Sequence, residues 1–309
     1  MKSYKTLVFV ALLGVVAAGC QKPEELKPTD NTNKNVLTLT VNASIDDDTK
    51  ALAWDENKLK AYWAANEIVD VYLGETKIGY LTSESSDNGS TKLSGEIIVD
   101  DLSVDAGNPS TLMLLYPGTG DSESERAVTY LNQNGGDPTA SVPSPYDYAL
   151  ASISAYIGDN SIETSGNASF ANQQSIFRFV SNVSMSSFTI SSANGKLVQS
   201  RTIDNGVWTS SYGSITVTTG DSYSATGKDY FVALRNEFVP EGSGTDEFFF
   251  SFVKEDDGIL YEASKTIKNA AFDANGLING KLMKAKITFA EKVIAQAASG
   301  TIDEQTDVL

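Results

Sequence analysis

Residues 36–45, VLTLTVNASI, alternate apolar and polar side chains without a break. Leu37, Leu39, Val41, Ala43 and Ile45 share one face, and Thr38, Thr40, Asn42 and Ser44 share the other. A period of two sustained this long predicts a strand with one face on a core. Met283 to Phe289 repeat the pattern, with Met283, Ala285, Ile287 and Phe289 opposite Lys284, Lys286 and Thr288. Between them lie shorter runs at 68–73, 112–116, 177–180, 188–190, 215–218, 230–234 and 248–253. These runs are rich in Val, Ile, Thr, Phe and Tyr, the composition of half-buried strands. Asn-Gly pairs begin at Asn88, Asn134, Asn194, Asn205, Asn275 and Asn279, and each is expected to supply the positive φ of a tight hairpin. Only a short stretch, Glu56 to Ala65, reads as helix. Many short strands separated by turns predict an all-β chain of antiparallel sandwiches rather than βαβ units.

The length of 309 residues allows two domains, each with its own core. The polar, glycine-containing stretch 158–172 is the natural boundary. This predicts an N-terminal sandwich over 36–162, a C-terminal sandwich over 163–290, and a tail over 291–309. No solenoid or propeller repeat is visible.

The N-terminus is of another kind. Lys2 and Lys5 precede an apolar run over 6–16, and then come Ala17, Ala18, Gly19 and Cys20. The run is too short for a permanent membrane helix and reads as a secretory signal over 1–19, cut between Gly19 and Cys20. Ala-Ala-Gly-Cys resembles a bacterial lipobox, in which the cysteine is acylated and becomes the new N-terminus, although Ala17 stands where most lipoboxes carry a larger aliphatic residue. Each buried methylene of such acyl chains adds roughly 0.8 kcal/mol of anchoring. Cys20 is the only cysteine, so no internal disulfide forms and the core alone must supply stability. Residues 20–35 are polar, contain two prolines and read as a flexible tether. Lys22, Glu24 and Glu25 are similar to the short acidic signal that directs lipoproteins of the Bacteroidota to the outer face of the outer membrane.

A formal charge of −17 repels phosphate backbones, so nucleic acid is not an expected partner. The absence of histidine removes the commonest general base and the commonest metal ligand. There is no triad, no phosphate-binding glycine loop, and no way to single out a glycosidase carboxylate pair among 40 acids. An enzyme is therefore not expected, and neither is a cofactor or a metal. Asp46–Asp48 and Asp256–Asp257–Gly258 lack the ligand spacing of a calcium loop and read as solvated turns. Trp54, Tyr62 and Trp63 could form a sugar-stacking platform or fill the core, and the core is the expected use.

Taken in order, several segments resemble the fimbrillin-like lipoproteins of the Bacteroidota, which build type V pili. The lipobox AAGC, the tether and the alternating VLTLTVNAS are followed by DDDTKALAW, YWAANEIVDVY, KLSGEI and LMLLYPG. SFANQQSIFRFV, YFVAL and GKLMKAKITF continue the resemblance to the end of the last strong strand. It implies two transthyretin-like β-sandwich domains and a structural role in an adhesive fimbria. It implies further that a surface protease removes the first strand together with the lipid, and that a strand from another fimbrial subunit fills the groove. The displaced strand would be that of Leu37, Leu39, Val41, Ala43 and Ile45. The cut would fall between Lys50 and Ala51. Family members cut by an arginine-specific protease carry Arg there, whereas this chain has no arginine before Arg126. The donor would be the tail, with Val293, Ala295 and Ala297 on one face; the other reading of that segment is a frayed end. The partners implied are fimbrial subunits, by strand addition, and outer-membrane lipid, through Cys20. The competing reading is a glycan-binding surface lipoprotein of a polysaccharide-uptake system, which would need two or three aromatics exposed in one plane.

Overall fold

The computed structural model describes residues 35–45, 53–55, 58–60, 63–84, 89–122, 126–135, 148–159, 161–204, 207–239, 241, 244–268, 271–273, 276–277, 279–280 and 282–292. Among the described residues there is no α-helix. The first half carries β1 (Val36–Ile45), β2 (Ala53–Asp55), β3 (Lys58–Lys60), β4 (Ile68–Leu73), β5 (Thr76–Ser83), β6 (Ser90–Ile98), β7 (Ser110–Tyr116), β8 (Arg126–Thr129), β9 (Asn132–Asn134), β10 (Ala149–Ile157), β11 (Ile162–Ser165) and β12 (Ala168–Asn172). The second carries β13 (Ser175–Ser181), β14 (Ser187–Ser192), β15 (Val198–Asp204), β16 (Val207–Tyr212), β17 (Ile215–Thr218), β18 (Asp229–Leu234), β19 (Asp246–Val253), β20 (Leu260–Ile267), β21 (Phe272–Asp273), β22 (Gly276–Leu277), β23 (Leu282–Ile287) and β24 (Ala290–Lys292).

The first sheet runs β10-β12-β1-β6-β5-β4-β7 and then returns from β7 to β10, closing a seven-stranded, barrel-like ring. β11 lies outside the ring, paired to the far end of β10. Closure removes the free edges that an open sheet would offer to other chains. The alternating residues of these strands point inward. Leu39, Val41, Val69, Val71, Leu81, Leu93, Leu112, Leu114, Ile153 and Phe170 form one core. Trp63 belongs to that core at 2 % exposure. Its ring meets Tyr116 and Phe170 edge-on, with centroids 5.5 and 5.3 Å away. It is a packing residue, as the sequence suggested, while the side chains of Trp54 and Tyr62 lie outside the described residues.

The second core lies between a three-stranded sheet, β18-β13-β23, and a six-stranded sheet, β24-β20-β19-β14-β17-β9. Phe177 meets Phe248 at 6.2 Å and Phe179 meets Phe250 at 5.0 Å, so aromatic pairs join the two sheets. From the first half this core also takes in Tyr72 of β4, Leu115 of β7, Val128 of β8, Tyr130 and Tyr148. Two strands of the first half cross to this side: β8 pairs with β15 and β9 with β17.

Three sequence expectations need correction. The pairing is not wholly antiparallel, because β1–β12, β13–β23 and β9–β17 are parallel. Each of these pairs joins strands far apart in sequence, where a long connection permits a parallel arrangement that a hairpin forbids. Within Glu56–Ala65, residues 58–60 are strand β3, paired to β2, and not helix. Asn134–Gly135 is not a hairpin turn: Gly135 N donates to Thr218 O (2.9 Å) and Gly135 O accepts from Phe231 N (3.1 Å). A Cβ there would lie 2.5 Å from Val217 Cγ1, so close packing rather than positive φ requires this glycine. The pairs ending in Gly89, Gly195, Gly276 and Gly280 do carry positive φ.

Candidate functional site

The seat of β1 is the feature the sequence singled out. All of it but Ile45 pairs antiparallel with β6, from Val36 opposite Ile98 to Ser44 opposite Ser90. On the other edge only Ala43–Ile45 pair, in parallel, with Ala168–Phe170 of β12. The ring is therefore closed by a long ladder on one side of β1 and a short seam on the other. Leu39, Val41 and Ala43 are buried and Leu37 is half-buried, while Thr38, Thr40 and Asn42 face solvent. The backbone of Ile45 belongs to the strand, and its side chain lies outside the described residues. A polar clasp holds the entry to the strand. Asn35 donates from N and Nδ2 to Asp100 Oδ1 (3.1 and 3.0 Å), and Asn35 O accepts from Val99 N (2.9 Å).

A second arrangement locks the strands opposite β1. Asp70 is a fully buried acid inside the apolar run IVDVYL of β4. Its carboxylate accepts from Thr119 N (2.8 Å), Thr119 Oγ1 (3.0 Å) and Gly120 N (3.0 Å), and pairs with Lys77 Nζ at 3.0 Å. The same ammonium donates to Thr119 Oγ1 (2.8 Å) and Gly120 O (2.6 Å). Beside it, Glu67 accepts from Tyr116 OH (2.5 Å) and from Ala64 N (2.9 Å). The segments EIVDVY and LMLLYPG are thus two neighbouring strands: Asp70 of the first fastens the loop after β7, and Glu67 holds Tyr116 at the end of β7. A buried charge is tolerable only when paired and hydrogen-bonded in this way.

A third cluster borders the second core. Glu237 Oε1 accepts from Arg235 Nε (2.8 Å) and Ser210 Oγ (3.2 Å), and Oε2 accepts from Tyr212 OH (2.7 Å). Arg201 Nε lies 3.4 Å from Glu237 Oε1 as an ion pair, and Arg201 Nη1 donates to Tyr148 OH at 3.1 Å. Burial raises the Glu237 carboxyl, but the Arg235 and Tyr212 hydrogen bonds and the charges of Arg235 and Arg201 outweigh it and hold the group below its ordinary value. Its contribution to stability is therefore present above the unfolded carboxyl value and fades as pH falls through the folded one.

Tyrosines act at the alkaline end. Burial, with Tyr148 next in effect, holds Tyr130 well above its ordinary value of 10.0. Burial likewise raises Tyr72 and Tyr230. Raised folded values mean stability that is complete below the unfolded value and lost as pH rises above it. The midpoint of thermal unfolding is expected to fall once pH passes about 10, with the 295 nm phenolate signal rising at the unfolding transition. A flat midpoint from pH 9 to 12 would contradict this.

Of the sequence-predicted residues, Leu37, Leu39, Val41 and Ala43 share one inward face. Gly19, Cys20, Lys50, Ala51, Val293, Ala295 and Ala297 lie outside the described residues. Asp257 of the Asp256–Gly258 turn is used locally, accepting from Lys254 Nζ (2.6 Å) and Ile259 N (3.1 Å). Sequence reasoning passed over Asp70, although a lone acid in an apolar strand is a legible signal of a buried partner. Nothing in the sequence pointed to Arg201, Arg235 and Glu237, which come from different strands and loops.

No family model and no curated protein matches the chain. Solved structures with a similar trace include a candidate cell-adhesion protein from Bacteroides uniformis, at 12 % identity over 86 % of this chain and 99 % of that one, with a TM-score of 0.39. A candidate cell-adhesion protein from Bacteroides ovatus matches at 12 % identity over 84 % and 96 %, TM-score 0.37. A fimbrial protein from Bacteroides ovatus matches at 10 % identity over 82 % of this chain and 49 % of its own, TM-score 0.32. The structures that this chain's trace is similar to are thus candidate cell-adhesion and fimbrial proteins of Bacteroides, at low sequence identity.

Proposed function

We propose that this chain is a structural or accessory subunit of a cell-surface fimbria with a role in adhesion, and not an enzyme. In this reading it is exported as a lipoprotein, is anchored in the outer membrane through Cys20, and consists of two transthyretin-like domains. Cutting after Lys50 releases β1 with the lipid, and a strand of another subunit, drawn from the segment around Val293, Ala295 and Ala297, takes its place. One observation supports the reading most directly: β1 is one wall of the ring, with a long ladder on β6 and only a short seam on β12. Its loss would leave an apolar channel flanked by two unpaired edges, a template for strand addition. Filling that channel head to tail makes a contact that does not close on itself, and hence a filament.

The test is low-dose trypsin on a chain lacking residues 1–20. The expected result is a cut at Lys50 followed by ladders that resist SDS and grow with concentration. A product trimmed at Lys50 that stays monomeric at every concentration would overturn strand exchange.

A further inference from the structure

The Glu237 cluster holds more positive charge than it neutralises. Arg201 and Arg235 are both more than nine-tenths buried, and they share the single carboxylate of Glu237. Lys196 adds a third cation nearby, its Nζ 4.7 Å from the centre of the Tyr212 ring. An uncompensated buried cation is costly, and in a chain of formal charge −17 it stands out. Glu237 itself is saturated, since its oxygens already accept from Arg235, Ser210 and Tyr212.

Two buried N–H groups in the cluster make no hydrogen bond. They are Arg201 Nε, whose contact with Glu237 at 3.4 Å lacks hydrogen-bond alignment, and Trp208 Nε1. They are close together, because the Arg201 guanidinium carbon lies 4.5 Å from the centre of the Trp208 ring. Arg201, Trp208, Ser210 and Tyr212 share one face of the β15–β16 pair, where Arg201 is opposite Ser210. The cluster is not sealed: the Arg201 and Glu237 side chains keep 10 % and 18 % exposure, and Tyr212, which donates to Glu237, is 40 % exposed.

We propose that Arg201, Arg235 and Trp208 form a carboxylate-binding site, and that its ligand is an acidic sugar. Surplus guanidinium charge and free N–H donors are what a second carboxylate requires. The surroundings favour a sugar over a peptide as its carrier. The Tyr212 ring, 40 % exposed, offers a stacking face on the same side of the β15–β16 pair as Arg201 and Trp208. This site lies on the second core and is independent of β1 and of strand exchange.

Glucuronate is the probe, with glucose as the neutral control and N-acetyl-aspartamide as the peptide-like carboxylate. The chain has three tryptophans, so its indole N–H signals are few, and Trp208→Phe identifies the one concerned. Titrating the intact chain, glucuronate is expected to shift the Trp208 indole signal saturably, while glucose does not. Arg201→Gln should weaken binding roughly tenfold or more, the loss of one charge-assisted hydrogen bond. If that variant fails to fold, Trp208→Phe, which keeps an aromatic ring, followed by calorimetry with glucuronate, makes the same decision. An unmoved indole signal, an equal response to glucose, tighter binding of N-acetyl-aspartamide, or unweakened glucuronate binding by a folded variant would each overturn the proposal.

Discussion

A chain lacking residues 1–45 is expected to lose the ring's cooperative unfolding transition, and to recover it when a peptide of residues 36–45 is added. β1 buries Leu39, Val41 and Ala43 completely or nearly so. Taking these from the core costs on the order of 5 kcal/mol, a large part of the 5–15 kcal/mol that stabilises an ordinary domain. The backbone groups of β6 and β12 that faced β1 would lose their partners as well. The second core shares none of these residues, so its transition should survive. Calorimetry and dye binding to exposed apolar surface would follow both transitions. A truncated chain with the full-length melting profile would sink the idea that β1 is structural to the ring. Single substitutions should divide by face: Leu39→Ala is expected to cost roughly 2–5 kcal/mol, and exposed Thr40→Ala within about 0.5 kcal/mol.

Asp70→Ala is expected to destabilise the ring by roughly 3–5 kcal/mol, the usual result of removing one partner of a buried ion pair. The substitution takes the counter-ion from the Lys77 ammonium and leaves Thr119 N and Gly120 N without their acceptor. Asp70→Asn keeps the shape and one acceptor oxygen, so it should fall between wild type and the alanine variant. Lys77→Ala should be milder, because the two backbone N–H groups and the Thr119 hydroxyl would still hold the carboxylate. Urea denaturation of the three variants gives the ranking. An alanine variant within 1 kcal/mol of wild type would show that the loop after β7 does not depend on this lock.

Much of the β architecture was legible because period-two alternation reports which face of a strand is buried, whichever partner covers it. The strand over 36–45 could therefore be drawn residue by residue, and so could most of Met283–Phe289. Partner choice could not. The parallel pairing of β1 with β12 joins residues more than a hundred positions apart, and nothing local to either segment encodes it. The crossing of β8 and β9 to the second core escaped for the same reason. Asn134–Gly135 misled because a glycine needed for close approach and a glycine needed for positive φ look alike in sequence. Trp63 was placed in the core on general grounds, and its edge-on contacts with Tyr116 and Phe170 come from β7 and β12.

What the sequence by itself determined is local: the inward face of the clearly alternating strands, the chain's negative charge, and the lack of an imidazole for catalysis. Each of these is a property of residue type and spacing along one segment. Only the tertiary structure decided that β1 closes a ring, that Asp70 meets Lys77 and Thr119, and that two arginines share one glutamate. The physical reason is common to all three. Backbone edges and buried charges must find partners, and the partner that satisfies them is set by which distant strands share a core, not by the residues beside them in the chain.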